Sequence, residues 1–240
     1  EQDDDPWSAA RIRALHKQMD ANIDGKVTLV ELLDFHAHMR KKMARIDFEE
    51  QLPAYDHDNS GKVTWKEIIR DIHYSDPKGE KKKFKAADKD KDGKLDAGEL
   101  SAFIDPQTDD AVLHVVLKDG WKDMDEDGDG FLNAHEFTPF SDDSGVSKEA
   151  LADFKRADRD QSGLIDFNEY MAVESGYVRA EEAMKMLLEK TDTDGDALLT
   201  VDELLEAGQL LHVKSEAYEY IGTWTGYLDM SKSHRPHLEL

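Results

Sequence analysis

The sequence predicts an all-α protein built from six helix–loop–helix units, which associate as three pairs through short β pairings between their loops. Three observations predict this fold class. Six segments of 12 residues repeat one pattern of side-chain oxygens, and we number them loops 1 to 6: residues 20–31, 56–67, 88–99, 125–136, 158–169 and 192–203. Consecutive loops begin 32 to 37 residues apart, which leaves room for two helices between them. Apolar residues recur at fixed places on either side of the loops.

The residues that flank the loops have the pattern of amphipathic helices. The residue four places before each loop is apolar except in the first, and the residue directly after each loop is always apolar. The first set is His16, Leu52, Phe84, Trp121, Phe154 and Leu188, and the second is Leu32, Ile68, Leu100, Phe137, Tyr170 and Leu204. Such positions face inward when two helices flank a loop, so we interpret these residues as core.

Position 8 of every loop is also apolar, and it indicates how the units associate. These residues are Val27, Val63, Leu95, Leu132, Ile165 and Leu199. In an extended segment such a residue can pair with its counterpart in another loop. We expect pairing in sequence order, with a first pair at 8–74, a second at 80–140, a third at 147–212 and a C-terminal tail at 213–240. Turn-forming residues at 75–79 and 141–145 lie between these pairs. We expect the aromatic residues of the tail to pack on the third pair, and a partner-binding tail is the alternative.

The spacing of oxygen atoms within the loops is that of a calcium-binding EF-hand, in which positions 1, 3, 5, 7, 9 and 12 supply ligands. Position 1 is Asp20, Asp56, Asp88, Asp125, Asp158 and Asp192; position 3 is Asn22, Asp58, Asp90, Asp127, Asp160 and Asp194; position 5 is Asp24, Ser60, Asp92, Asp129, Ser162 and Asp196. Position 7 contributes only its backbone carbonyl and is Lys26, Lys62, Lys94, Phe131, Leu164 and Leu198. Position 9, expected to act through water, is Thr28, Thr64, Asp96, Asn133, Asp166 and Thr200. Position 12, expected to bind Ca²⁺ through both carboxylate oxygens, is Glu31, Glu67, Glu99, Glu136, Glu169 and Glu203.

Position 6 separates one loop from the other five. The sharp turn of the loop requires a positive φ at this position, which favours glycine. Five loops have glycine there, whereas loop 6 has Ala197. A methyl group in the left-handed conformation costs on the order of 1 kcal/mol. We therefore expect loop 6 to be a weaker site, although its other ligands are intact.

Composition narrows the possible functions. The chain of 240 residues carries a formal net charge of −23, which argues against binding to nucleic acid or to an anionic membrane surface. It has no cysteine, so disulfides, zinc thiolate sites and a cysteine nucleophile are excluded. No apolar run approaches the roughly 18 residues that a membrane-spanning helix needs. The repeats occupy almost the entire chain and no catalytic motif is found, so we do not expect an enzyme.

Two segments of this cysteine-free, six-loop chain carry a family resemblance. They are 61–67 (GKVTWKE) and 84–93 (FKAADKDKDG). With them the chain resembles, over nearly its whole length, the reticulocalbin–calumenin (CREC) family of multiple-EF-hand proteins of the secretory pathway. Members typically end in a retrieval signal like His-Asp-Glu-Leu. This chain ends in HLEL at 237–240, where Leu238 replaces the acidic residue.

The resemblance implies a calcium-binding protein of the endoplasmic reticulum lumen or secretory pathway, which buffers Ca²⁺ and interacts with client proteins in a calcium-dependent manner. The alternative is a cytosolic six-EF-hand buffer or sensor of the calbindin type. That family usually has some degenerate loops, whereas all six loops here retain their acidic residues. A sensor opens a Met-rich groove, and the eight methionines of this chain are dispersed. Affinity would separate the two, since lumenal sites bind at about 10⁻⁴ to 10⁻³ M and cytosolic sensors near micromolar.

Overall fold

A computed structural model of the protein describes residues 5, 7–71, 76–138, 147–210 and 215–228. The helices in this part of the chain are α1 (Ala9–Met19), α2 (Leu29–Tyr55), α3 (Trp65–Asp71), α4 (Pro77–Ala87), α5 (Ala97–Ile104), α6 (Asp110–Met124), α7 (Ala134–Phe137), α8 (Lys148–Ala157), α9 (Phe167–Glu174), α10 (Tyr177–Thr191), α11 (Val201–Leu210) and α12 (Glu216–Leu228). A 3₁₀ turn, Pro106–Thr108, lies between α5 and α6. The strands are β1 (Lys26–Val27), β2 (Val63–Thr64), β3 (Lys94–Leu95) and β4 (Leu199–Thr200). The prediction of an all-α fold with short β pairings between loops is confirmed.

The oxygen-bearing residues of the loops also start the helices that follow them. In loops 3, 4 and 5 the side chain at position 9 accepts a hydrogen bond from the N–H of position 12, and Glu at position 12 accepts one from the N–H of position 9. This reciprocal arrangement is a capping box, which satisfies two backbone donors at the start of a helix. Threonine at position 9 makes the same exchange in the remaining loops, at Thr28, Thr64 and Thr200. One local pattern therefore defines both the loop and the helix that leaves it.

One compact unit comprises Glu1–Met39 and Arg179–Leu240. In it β1 pairs with β4 in antiparallel register, with Val27 opposite Leu199, so loops 1 and 6 lie side by side. Its core contains Ile12, Leu15, Met19, Leu32, Leu204, Ile221 and Trp224. The helices of the first and last loops thus share one core.

The second compact unit is Arg40–Val178, which contains loops 2 to 5. Here β2 pairs with β3 in antiparallel register, with Val63 opposite Leu95. The core under this pairing contains Ile68, Phe84, Leu100 and Phe103. An isolated bridge between Leu132 and Ile165 joins loops 4 and 5 above a separate core that contains Trp121, Phe154 and Ala157. Each of the two loop pairs in this unit therefore has its own core.

The order of pairing differs from the sequence prediction. Loop 1 pairs with loop 6, loop 2 with loop 3 and loop 4 with loop 5, so pairing in sequence order is wrong. The physical reason lies in α2, a continuous helix of 27 residues between loop 1 and loop 2. Because this helix contains no reversal of the chain, loops 1 and 2 are not brought side by side. Loop 2 pairs with the next loop instead, and the same shift leaves loop 6 for loop 1. The predicted bounds 8–74, 80–140 and 147–212 accordingly do not match the two units.

The tail also packs on a different pair from the one expected. Helix α12 packs against α1 in the unit that contains loops 1 and 6. Within this unit Trp224 is 1% exposed and meets Phe35 edge-on, and Tyr218 stacks on Trp7. The predicted turn at 141–145 and the HLEL end lie outside the described residues. Among the described helices, none combines the length and apolar character needed to cross a bilayer.

Candidate metal centres

Carboxylate oxygens converge in loops 2 to 6. In each of these loops positions 1, 3 and 12 offer one oxygen apiece, and the three oxygens lie within 4.8 Å of one another. The groups are Asp56, Asp58 and Glu67; Asp88, Asp90 and Glu99; Asp125, Asp127 and Glu136; Asp158, Asp160 and Glu169; and Asp192, Asp194 and Glu203. Loop 1 has an amide at position 3, and Asn22 Oδ1 accepts the N–H of Asp24 at 2.8 Å, as the aspartate at this position does in the other loops. All six loops therefore share one geometry at this position.

A hydrogen bond from position 6 to position 1 closes every loop. The backbone N–H of position 6 donates to the position 1 aspartate at 2.7 to 3.0 Å in all six cases. Loop 6 keeps this bond although it lacks glycine, because Ala197 adopts a φ of 59° and donates to Asp192 at 2.9 Å. The left-handed conformation predicted for Ala197 is thus present, and its steric cost is part of loop 6.

Positions 5 and 7 lie next to each other along the loop. The hydroxyls of Ser60 and Ser162 donate to the carbonyls of Lys62 and Leu164 at 3.0 and 2.9 Å. In the other four loops the position 5 aspartate instead accepts the N–H of position 7 at 2.8 to 2.9 Å. This arrangement brings the side-chain oxygen of position 5 close to the backbone of position 7, which is the residue expected to contribute its carbonyl.

The glutamates at position 12 of loops 1, 2 and 6 are held as anions by hydrogen-bond donors. Burial alone would raise the pKa of Glu203, but hydrogen bonds from Thr200 and Thr193 outweigh that effect and lower its pKa to about 2. The pKa of Glu31 is lowered, chiefly by the backbone N–H of Thr28, and that of Glu67 chiefly by the hydroxyl of Thr64. These side chains therefore keep a negative charge at neutral pH and face the loop with the charge that a cation needs.

Two buried oxygens test whether the loops fit a metal ion. Asp88 Oδ1 and Asp158 Oδ1, at position 1 of loops 3 and 5, are buried and have no hydrogen-bond partner. A buried carboxylate oxygen without a partner is costly, and a cation is one group that can satisfy it. The neighbouring loop residues that could bind a metal all offer oxygen atoms, which is the ligand type that Ca²⁺ prefers. The residues of these loops therefore fit Ca²⁺.

Position 4 is a feature that the sequence analysis missed. Its φ is positive in every loop, at Ile23, Asn59, Lys91, Gly128, Gln161 and Gly195. Glycine or asparagine tolerates this conformation, whereas a β-branched residue such as Ile23 is strained in it. Gly or Asn occupies this position in loops 2, 4 and 6, which is a sequence signal of the turn, whereas Ile23, Lys91 and Gln161 give no such signal.

The structure brings together most of the residues predicted as ligands. Positions 1, 3 and 12 converge in loops 2 to 6, and positions 5 and 7 are adjacent. Position 9 lies at the start of the following helix, where its side chain caps the backbone. The assignment of individual atoms as ligands stays a prediction.

Comparisons with known proteins agree with the loop geometry. A family model described as EF hand matches residues 82–104 and 151–173, which include all of loops 3 and 5. The chain is 29% identical to reticulocalbin-2 from Crotalus adamanteus over 88% of this chain and 78% of the relative. It is 26% identical to reticulocalbin-2 from Mus musculus, over 88% and 75%, and 25% identical to reticulocalbin-3 from Mus musculus, over 89% and 74%.

A solved structure of a homolog of programmed cell death 6 protein from Leishmania major Friedlin aligns with 68% of this chain and 88% of that chain, at 17% identity and a TM-score of 0.24. This structural similarity is too low to indicate a shared fold. The reticulocalbin relatives, by contrast, extend over nearly the full length of the chain and agree with its repeated acidic loops. The chain is similar to reticulocalbins over most of its length, and its repeated acidic loops are those of a calcium-binding EF-hand protein.

Proposed function

We propose that this protein resides in the endoplasmic reticulum lumen or elsewhere in the secretory pathway, where it buffers Ca²⁺ and engages client proteins in a calcium-dependent manner. The observation that carries the proposal is the convergence of three carboxylates within 4.8 Å in each of five loops. The similarity to reticulocalbins supports the compartment. No comparison favours the calbindin-type alternative. The proposal includes no catalysis, because loops and flanking helices account for almost all of the described chain.

The proposed ligands are the side chains at positions 1, 3, 5 and 12 and the backbone carbonyl at position 7, with position 9 acting through water. A bound Ca²⁺ supplies two positive charges to a set of neighbouring anions. Within each loop, two carboxylates about 5 Å apart repel each other by about 1 kcal/mol even in a water-like dielectric. Several such pairs act in every loop, so folding and ion binding should be coupled.

The packing of α12 favours a buffer over a sensor for the pair of loops 1 and 6. A sensor exposes a hydrophobic groove between its helices and takes up a partner helix. Here a helix of the same chain, α12, already packs against α1 and buries Trp224 beside Phe35. A pair whose apolar surface is covered from within can take up ions without exposing that surface.

A calorimetric calcium titration tests the proposed sites. We expect close to six ions per chain, with dissociation constants in the range of about 10⁻⁴ to 10⁻³ M. Replacing Glu99 and Glu169 by glutamine should lower the stoichiometry by two, because each loop loses the anion at position 12. Glu149→Gln, in the first turn of α8, is the control and should leave the stoichiometry unchanged. Retention of one ion or none by the unaltered protein would falsify the proposal.

Coupling between folding and binding has its own test. Removal of calcium should reduce the helical signal in far-UV circular dichroism, and its return should restore the signal. An unchanged spectrum would mean that the loops hold their fold without the ion.

The compartment and the clients need separate experiments. The natural protein should co-fractionate with lumenal markers and resist added protease until the membrane is permeabilised. Cleavage in intact vesicles would contradict a lumenal position. Binding of a reduced, unfolded polypeptide should be stronger in millimolar calcium than in chelator, and equal binding in both would remove the calcium-dependent client role.

A further inference from the structure

Lys62 of loop 2 reaches across the β pairing to the carboxylates of loop 3. Its Nζ lies 2.8 Å from Asp90 Oδ2 and 2.5 Å from Asp92 Oδ2. Asp90 and Asp92 occupy positions 3 and 5 of loop 3 and are proposed calcium ligands. A lysine of one loop thus bonds to two ligand carboxylates of the neighbouring loop.

The pair of loops 1 and 6 repeats this arrangement. Lys26, at position 7 of loop 1, forms an ion pair with Asp196, at position 5 of loop 6. The antiparallel register explains the contact, because Lys26 lies opposite Thr200 at the edge of loop 6. The two lysines hold equivalent positions in their loops and face equivalent carboxylates.

The arrangement is directional. Loops 1 and 2 have three carboxylates each among positions 1, 3, 5, 9 and 12, whereas loop 3 has five and loop 6 has four. The lysines therefore extend from the less acidic loop of each pair to the more acidic one. In the reverse direction Leu198 carries no charge, and Lys94 Nζ lies 3.4 Å from the neutral hydroxyl of Ser60, from where its charge also acts on Asp58 of loop 2. Loops 4 and 5 have Phe131 and Leu164 at position 7, so neither supplies an ammonium group to its partner from this position.

We propose that Lys62 and Lys26 act as tethered competitors for Ca²⁺, which weaken ion binding in loops 3 and 6 and leave loops 4 and 5 to bind first. This inference rests on the proposed function, since it assigns an affinity order to the same sites. An ammonium group and Ca²⁺ are attracted to the same anionic oxygens. The lysine must either give up its bonds to those carboxylates or remain as a positive charge beside the ion, and both reduce affinity.

The proposal predicts an order of calcium affinity among the loops that differs from the order expected from the number of carboxylates. Loop 3 has the most carboxylates, and on that count alone it would be the tightest site. A single positive charge about 5 Å from a divalent ion lowers affinity about three- to tenfold when solvent and salt screen part of the repulsion. The pKa of Lys62 is raised, mainly by its hydrogen bond to Asp90, so its charge persists throughout the physiological pH range.

Amide NMR during a calcium titration can follow each loop separately. The N–H of position 6 bonds to the position 1 aspartate in every loop, so the amides of Gly93 and Gly130 report on loops 3 and 4. In the unaltered protein, we expect loop 4 to be half-filled at a lower calcium concentration than loop 3. Lys62→Met should move the midpoint of loop 3 about three- to tenfold lower and leave loop 4 in place. Methionine keeps the backbone carbonyl of position 7 and the apolar stem of the side chain.

Two further variants complete the design. Lys82→Met removes the same charge from an exposed ion pair with Asp119, which is no loop residue, and it should not move the loop 3 midpoint. Leu164→Lys places a lysine where loop 5 can reach Asp127 and Asp129 of loop 4, and it should raise the loop 4 midpoint about three- to tenfold. This variant tests the competition by adding a lysine, without removing an existing contact.

The outcomes distinguish the two proposals. If loops 3 and 4 both bind calcium but neither Lys62→Met nor Leu164→Lys shifts a midpoint, the competition is absent and the calcium-binding function stands. Equal shifts with Lys82→Met and Lys62→Met would also overturn the competition, because net charge would then be the cause. If no position 6 amide responds to calcium in the unaltered protein, the proposed function itself fails.

Discussion

The strained residue at position 4 of loop 1 allows a quantitative prediction. Ile23 is β-branched, has a φ of 63° and is 87% exposed. Asparagine tolerates the left-handed conformation and already occupies position 4 of loop 2, where Asn59 has a φ of 54°. We expect Ile23→Asn to stabilise the calcium-free protein.

The magnitude follows from two opposing contributions. A left-handed conformation costs an L-residue about 1 to 2 kcal/mol, and the relief of most of that strain is the gain. The loss of apolar burial is only about 0.3 kcal/mol, because the Ile23 side chain is 87% exposed. The net stabilisation for Ile23→Asn should be about 1 kcal/mol. Ile23→Gly should give roughly half of that, since glycine loses more backbone entropy on folding.

Urea unfolding in the presence of chelator measures this change, with tryptophan fluorescence as the signal and an unchanged m-value as the condition for comparing midpoints. Val30→Asn is the matched control, because Val30 is also β-branched and exposed but lies in the first turn of α2. That control should destabilise slightly or have no effect. If Ile23→Asn lowers the free energy of unfolding, backbone strain at position 4 is not the controlling factor in loop 1.

Three further predictions concern packing, capping and pH. Trp224→Ala should destabilise the unit of loops 1 and 6 by about 3 to 5 kcal/mol in chemical unfolding, because the ring is 1% exposed; a loss below about 1 kcal/mol would mean that α12 contributes little. Asp96→Ala should lower the free energy of unfolding of the calcium-free protein by about 1 kcal/mol, because the α5 capping box is lost. Asp96→Asn should retain most of that stability, since asparagine is also a good N-cap. Equal losses for both variants would contradict a capping role. The pKa of Glu203 is about 2 in the folded chain and 4.5 ordinarily, so its contribution to stability is present above about pH 4.5 and is lost as pH falls towards 2. Thermal unfolding in chelator should therefore depend less on pH over this range in Glu203→Gln than in the unaltered protein, and identical pH profiles would contradict this role.

The repeated loops could be predicted from sequence because their structure is local. Each loop is closed by hydrogen bonds within 12 residues, such as those that join Gly93 to Asp88 and Lys89 to Glu99. The same residues start the next helix through the capping box of Asp96 and Glu99. Number, spacing and ion type therefore follow from residue types alone. The positive φ at position 4 is equally local, and it was missed because Ile23 and Lys91 do not indicate it.

The sequence by itself determined six loops, the oxygen-rich chemistry that suits Ca²⁺ and the helices on either side, because these depend on residues a few places apart. Only the tertiary structure decided which loops pair, where α12 packs and which carboxylates Lys26 and Lys62 reach. The residue at position 8 is a similar apolar residue in every loop, so it does not specify which other loop it pairs with. That choice follows from the continuous helix α2, which prevents the chain from reversing between loops 1 and 2.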